Sequence, residues 1–307
     1  MQLKDARGRM RFTPSRIVCA VFRRVALPVD YGLLSARSRM ARGPLVDPAG
    51  TVDVTLTTHG PRLRTVHLTI ESIAAGSVLP RRILLYLDAP LPCPMPPGLE
   101  RLRKRGLEVR ESWGRFGPHT KYYPYVVADH RDDVALVTAD DDLVYPRHWL
   151  RDLLVTSARH PGNIVAHRAH RVQVTTDGVA PYNTWPPVRD TEAAHDVFAT
   201  GVSGVLYPPE MVRAMRRGGE AFRQAAPRAD DVWLKHVALE AGIRVRQVRE
   251  APAHYPSLMG TQGTSLLSVN VGENGNDPQI RATFTAADLA LLRSSGTAGR
   301  GGRMGRG

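Results

Sequence analysis

Cysteine is scarce in this 307-residue chain, with Cys19 and Cys93 its only two, and long apolar runs are missing. Two thiols so far apart cannot build a disulfide framework or a four-ligand zinc site, and such sparing use points to a reducing compartment. No stretch approaches the roughly 20 apolar residues needed to cross a bilayer, which excludes a spanning segment. Acids are outnumbered, 29 Asp and Glu against 42 Lys and Arg, for a formal charge of +13. Apolar residues reach 42%, enough to build a core and to exclude disorder throughout.

The charge is uneven. Residues 1–50 hold ten Lys and Arg against three acids, and residues 294–307 hold three Arg and no acid, so 51–293 is nearly balanced at +3. Specific nucleic-acid binding is therefore not expected of the body. The 294–307 tail is Gly, Arg and Ser without apolar periodicity and reads as disordered. Residues 1–50 read as a basic N-terminal extension closed by a Gly/Pro-rich linker over 43–50. Within it, Arg16, Arg23 and Arg24 alternate with Ile17, Val21 and Phe22. Such a stretch can either lie on an anionic membrane, through residues 1–30, or dock on the body.

From Val52 onward short apolar runs alternate with amphipathic stretches. The pattern predicts strands over 52–57, 82–87, 107–111 and 134–138, with helices over 63–74, 98–105, 119–128 and 149–157. Strand and helix taking turns implies an α/β fold, a mostly parallel central sheet flanked by helices, in one catalytic domain over 51–293. Ligands of such sheets bind beyond the carboxyl ends of the strands. Thr57 and Thr58 follow the first predicted strand, Asp88 the second, and Asp140, Asp141 and Asp142 the fourth. Three consecutive carboxylates repel one another unless solvated or neutralised by a cation. Mg²⁺ or Mn²⁺ suits a short Asp-x-Asp segment, because such an ion takes one or two protein carboxylates and otherwise water and phosphates.

The ordered set Thr57-Thr58, Asp88, Ala139-Asp140-Asp141-Asp142, Thr200-Gly201-Val202-Ser203-Gly204-Val205 and Asp230-Asp231-Val232-Trp233-Leu234 resembles glycosyltransferases of the GT-A fold, family-2-like type. The resemblance spans most of 52–280. It implies a cofactor of Mn²⁺ or Mg²⁺, a UDP- or GDP-sugar donor and a glycan or lipid-linked acceptor, in the cytoplasm or on the inner face of a membrane. Thr57 and Asp88 would contact the nucleobase, and Lys121 a phosphate or base carbonyl. Asp140 would reach the ribose or the metal shell with Asp141 beside it, and Asp142 would be the main metal ligand. Asp231 would be the base of an inverting transfer, with Asp230 its neighbour or the base itself; two acids opening a helix are also what capping produces. A late metal-ligating histidine in some GT-A enzymes makes His254 a further candidate ligand.

Other motifs are less telling. His167 and His170, three apart in a predicted strand, face opposite sides and cannot share a metal. Trp185 is either a sugar platform or a loop anchor. A serine-hydrolase elbow fails on spacing, since Gly204 directly follows Ser203. Two alternatives to a glycosyltransferase are a nucleotidyltransferase of related fold and a basic surface- or RNA-binding module. The first lacks its Gly-rich loop in Thr57-Thr58-His59-Gly60-Pro61-Arg62, and the second would rest on the tails alone.

Overall fold

The computed structural model describes residues 32–176, 178–258 and 275–301, with side chains up to 295. The 1–30 membrane segment of the sequence reading lies outside these residues. Helix α1 spans 32–40. Then follow β1 (Val52–Thr58), α2 (Val66–Ala74), β2 (Arg82–Leu87), α3 (Pro97–Arg103), β3 (Leu107–Glu111), β4 (Ala135–Thr138), α4 (Trp149–Arg159) and β5 (Ile164–Ala166). After these come β6 (Ala169–Arg171), β7 (Val174–Thr175), β8 (Gly178–Val179), β9 (Val197–Ala199), β10 (Val205–Tyr207), α5 (Pro209–Gly218), α6 (Phe222–Ala225), α7 (Asp230–Glu240) and β11 (Val245–Gln247).

Seven strands form one sheet in the order β11-β5-β10-β4-β1-β2-β3. Every pairing in it is parallel except those of β10, which runs antiparallel between β4 and β5. The expected mainly parallel α/β architecture is what the chain adopts. The alternation of side chains explains why β2 reads as one apolar run: Ile83, Leu85 and Leu87 enter one core, Leu84 and Tyr86 the other. Helices α2 and α4 cover the first face, α5 and α7 the second. The chain lays β2 and β3 to one side of β1 and then returns to place β4 on the other. The carboxyl ends of β1 and β4 thus flank a reversal of strand order, the place where such sheets leave a crevice.

Several predicted elements are corrected. The single helix over 63–74 is divided into a 3-10 turn, Gly60–Arg64, and α2. The helix over 119–128 is instead a 3-10 turn, Gly117–Lys121, and a π turn, Tyr125–Asp129, because Pro124, in the interior of that span, removes a donor from the ladder. The strand through His167 and His170 breaks after Ala166, and β6 leaves to pair with β9. The predicted linker is docked: Leu45 is buried and its N–H donates to the Arg105 carbonyl at 2.9 Å. Helical backbone continues through Ala286–Gly301, past the predicted start of the disordered tail, with Leu292 buried; residues 302–307 lie outside the described residues. Among the described residues no helix is long and apolar enough to cross a membrane.

Candidate active site

The acidic triplet sits where β4 ends against β1, and its three members part ways. Asp141 turns inward: it accepts from Thr58 Oγ1 at 2.6 Å and from Arg62 Nη1 at 2.8 Å, and its carbonyl accepts from Thr69 Oγ1 at 3.0 Å. The loop is pinned again where the Asp140 N–H donates to the Tyr145 hydroxyl, 2.8 Å away. Asp140 and Asp142, either side of Asp141 at a bend just past β4, keep partly exposed carboxylates. Asp140 accepts from Lys121 Nζ at 2.7 Å, and Asp142 Oδ2 lies 3.3 Å from Arg62 Nη2.

Lys121 carries the site across to α7. Its Nζ is 3.8 Å from Asp230 Oδ2, so the carboxyl end of β4 and the amino end of α7 share one cation. Gly201 lies over this bridge, and a Cβ there would be 3.5 Å from Lys121 Nζ. The 200–205 segment is held rigidly. The Ser203 carbonyl accepts from Trp149 Nε1 at 2.8 Å, and its hydroxyl donates to the Ala253 carbonyl at 3.0 Å. Ser203 adopts φ +76° and Gly204 φ +98°, and a Cβ on Gly204 would sit 2.7 Å from the Trp149 ring. Only glycine fits there.

Burial and crowding set the charges. The Asp142 carboxyl is pushed up to about 6 by burial and then by neighbouring Asp140. Burial also raises Asp140, which Lys121 opposes. Burial alone would lower the Lys121 ammonium, yet Asp140 and Asp230 hold it well above the usual lysine value. Asp231 is raised to about 7, first by burial and then by Asp230. Near neutral pH it can therefore take up or give a proton.

No family model matches the chain, and no curated protein matches it. Among solved structures it is similar to a mannosyltransferase from Pyrobaculum calidifontis in complex with GDP-Man and Mn²⁺, at 16% identity and a TM-score of 0.48 over 93% of this chain and 86% of that one. It is also similar to S. aureus TarS 1–349, at 11% identity and 0.44 over 83% and 93% of the two chains. A third is 4-diphosphocytidyl-2C-methyl-D-erythritol synthase from Anaerococcus prevotii, at 11% and 0.44 over 81% and 97%. Likenesses at these identities and TM-scores carry no argument about this chain.

The remaining candidates fall unevenly around this centre. Thr57 spends its hydroxyl on the Tyr86 carbonyl at 3.0 Å, and Asp88 accepts from Thr120 Oγ1, so both sit on the rim with an internal partner. Among the described residues no three His, Cys, Asp or Glu side chains form a metal-holding group, and His254 does not join Asp140 and Asp142 in one. His254 instead bears electrostatically on His170. Trp185 is the loop anchor of the two readings: it is buried, its Nε1 donates to the Ala180 carbonyl at 2.9 Å, and its ring packs 5.2 Å from Phe198. The exposed tryptophan on this edge is Trp113, just beyond β3, edge-on to Phe116 at 5.7 Å.

Sequence reasoning missed Arg62, Tyr145 and Trp113. Arg62 was visible only as part of a glycine-poor loop, and its partner Asp141 lies 79 positions away. The donor set left at the rim, two carboxylates of which one is held near 6 by burial and by its neighbour, fits a hard divalent ion. Such an ion needs few protein oxygens when phosphates supply the rest.

Proposed function

We propose that the chain is a metal-dependent, inverting glycosyltransferase. It moves a sugar from a UDP- or GDP-sugar to a hydroxyl of a glycan or lipid-linked acceptor. One observation carries the reading: Lys121 ties the acidic end of β4 to the acidic start of α7, so carboxylates suited to a cation and a carboxyl poised near 7 share one crevice.

Asp142 and Asp140 would hold Mn²⁺ or Mg²⁺. When bound, such an ion stabilises the negative charge that builds on a departing diphosphate. Lys121 holds the Asp140 and Asp230 carboxylates in place across the crevice. Asp230 is engaged by that ammonium, which leaves Asp231 as the base: it takes the acceptor hydroxyl proton as the acceptor oxygen bonds to the anomeric carbon and the nucleoside diphosphate leaves with the electron pair. Thr57 and Asp88, at the ends of β1 and β2, line the side where the nucleobase would lie. The expected setting is a reducing compartment, at the inner face of a membrane if residues 1–30 bind it.

The test is nucleoside diphosphate release from a panel of UDP- and GDP-sugars with the full chain. Release should require Mn²⁺ or Mg²⁺, stop with chelator and drop at least ~100-fold in Asp142→Asn. The configuration of the product, read by NMR, decides inversion. Pyrophosphate release from a nucleoside triphosphate and a sugar phosphate would instead mark a nucleotidyltransferase. Salt-sensitive RNA binding unchanged in Asp142→Asn would mark the basic module.

A further inference from the structure

We propose that a cationic cavity between α1, α2 and α3 is a seat for the phosphate of anionic lipid headgroups and docks this protein on a membrane surface. The cavity, of about 600 Å³, is lined by Arg39 of α1, Arg64 of the turn after β1, and His67 and Arg101 of the two covering helices, with Ser35 and Gly98. No acid lines it. Arg101 is oriented by its Nε donating to the Ser38 carbonyl at 2.8 Å, and Arg39 and Arg64 are exposed. Among the described residues none of the three guanidiniums pairs with a carboxylate.

The wall is built for an anion. A Cβ on Gly98 would lie 2.4 Å from the His67 ring, so glycine is what lets that ring stand at the cavity. Burial, and after it the nearby Arg101 and Arg39, hold His67 below the usual histidine range. Guanidiniums on three separate elements match the oxygens of a phosphate monoester or diester.

The surroundings favour a bilayer over a free phosphate. Leu33 and Met40, seven residues apart and so on one side of α1, are 64% and 71% exposed, roughly 100° around the helix from Arg39. Apolar side chains flanking a cationic seat are how a helix lies in a lipid interface. Arg64 follows β1, and Gly98 opens α3 after β2, so these two lining residues come just after the carboxyl ends of β1 and β2, the sheet edge that also carries the acidic crevice. Docking there would set the crevice beside the membrane plane. The inference does not depend on sugar transfer.

Sedimentation of the full chain with phosphatidylglycerol or phosphatidylcholine vesicles tests it. Arg39→Gln with Arg64→Gln should weaken partition onto phosphatidylglycerol roughly 30-fold, two cations' worth. A control pair, Arg216→Gln with Arg217→Gln, lies on α5 across the sheet and should cost far less. Equal losses in both pairs, or none in the first, overturn the proposal. So does stabilisation by glycerol 1-phosphate that needs Arg39 and Arg64 while vesicle partition does not.

Discussion

Replacing Lys121 with Met keeps an unbranched side chain one atom shorter and removes the ammonium with its charge and its hydrogen bond to Asp140. The ammonium stands 2.7 Å from Asp140 and 3.8 Å from Asp230, with all three side chains 20% exposed or less. Opposite charges about 4 Å apart attract by roughly 4 kcal/mol at an effective dielectric near 20. Part of that is offset because the variant no longer desolvates an ammonium. A net loss of about 2–3 kcal/mol at pH 8 is expected, from urea unfolding with unchanged m. The pH dependence identifies the cause. Without Lys121 the carboxyls of Asp140, Asp142 and Asp231, already raised, move further above their unfolded values. Groups with raised native pKa bind protons in the folded state first, so stability is regained as pH falls. The deficit at pH 5 should therefore be less than half that at pH 8. An equal deficit at both pH values would mean lost packing, and no deficit would mean that the bridge is solvated away; either refutes the electrostatic account.

Asp231→Asn should lower the turnover of sugar transfer by 10²–10⁴-fold with donor binding intact, and should abolish the fall in wild-type turnover below about pH 7, both read from a pH–rate profile. The same variant should be more stable than wild type, by about 1–2 kcal/mol at pH 8, with the gain shrinking as pH falls from about 7 and gone only below about 4. The sign follows because a raised carboxyl costs stability wherever the unfolded chain ionises it, and Asn never ionises. Gly204→Ala forces a Cβ to within 2.7 Å of the Trp149 ring at φ +98°, and should lower stability by roughly 2–4 kcal/mol in thermal or urea unfolding.

The sheet was legible because its strands are covered on both faces. Runs such as Ile83-Leu84-Leu85-Tyr86-Leu87 need apolar residues at every position, and no other element of that length does. The 117–129 stretch was misread because its apolar spacing imitates a helix while Pro124 in its interior vetoes the ladder, a local rule that outweighs the periodicity. Placing the acids at strand ends located the crevice, since parallel neighbours bring their carboxyl ends to one edge. Pairings across the chain were not legible: Arg62 with Asp141, Lys121 with both Asp140 and Asp230, and the burial of Trp185 all depend on packing between distant segments.

Those pairings change the electrostatic argument. From sequence, three adjacent carboxylates seem to need an ion to coexist. In the fold, Asp141 is neutralised from within by Arg62 and Thr58, and Asp140 by Lys121. Asp142 alone keeps a carboxyl near 6, with an Arg62 nitrogen at 3.3 Å as its shared partner. The loop can thus fold without metal, and the crevice is poised rather than collapsed. A divalent ion would compete with Arg62 for Asp142 and with a proton for the same oxygens, so its affinity should fall as pH drops through 6.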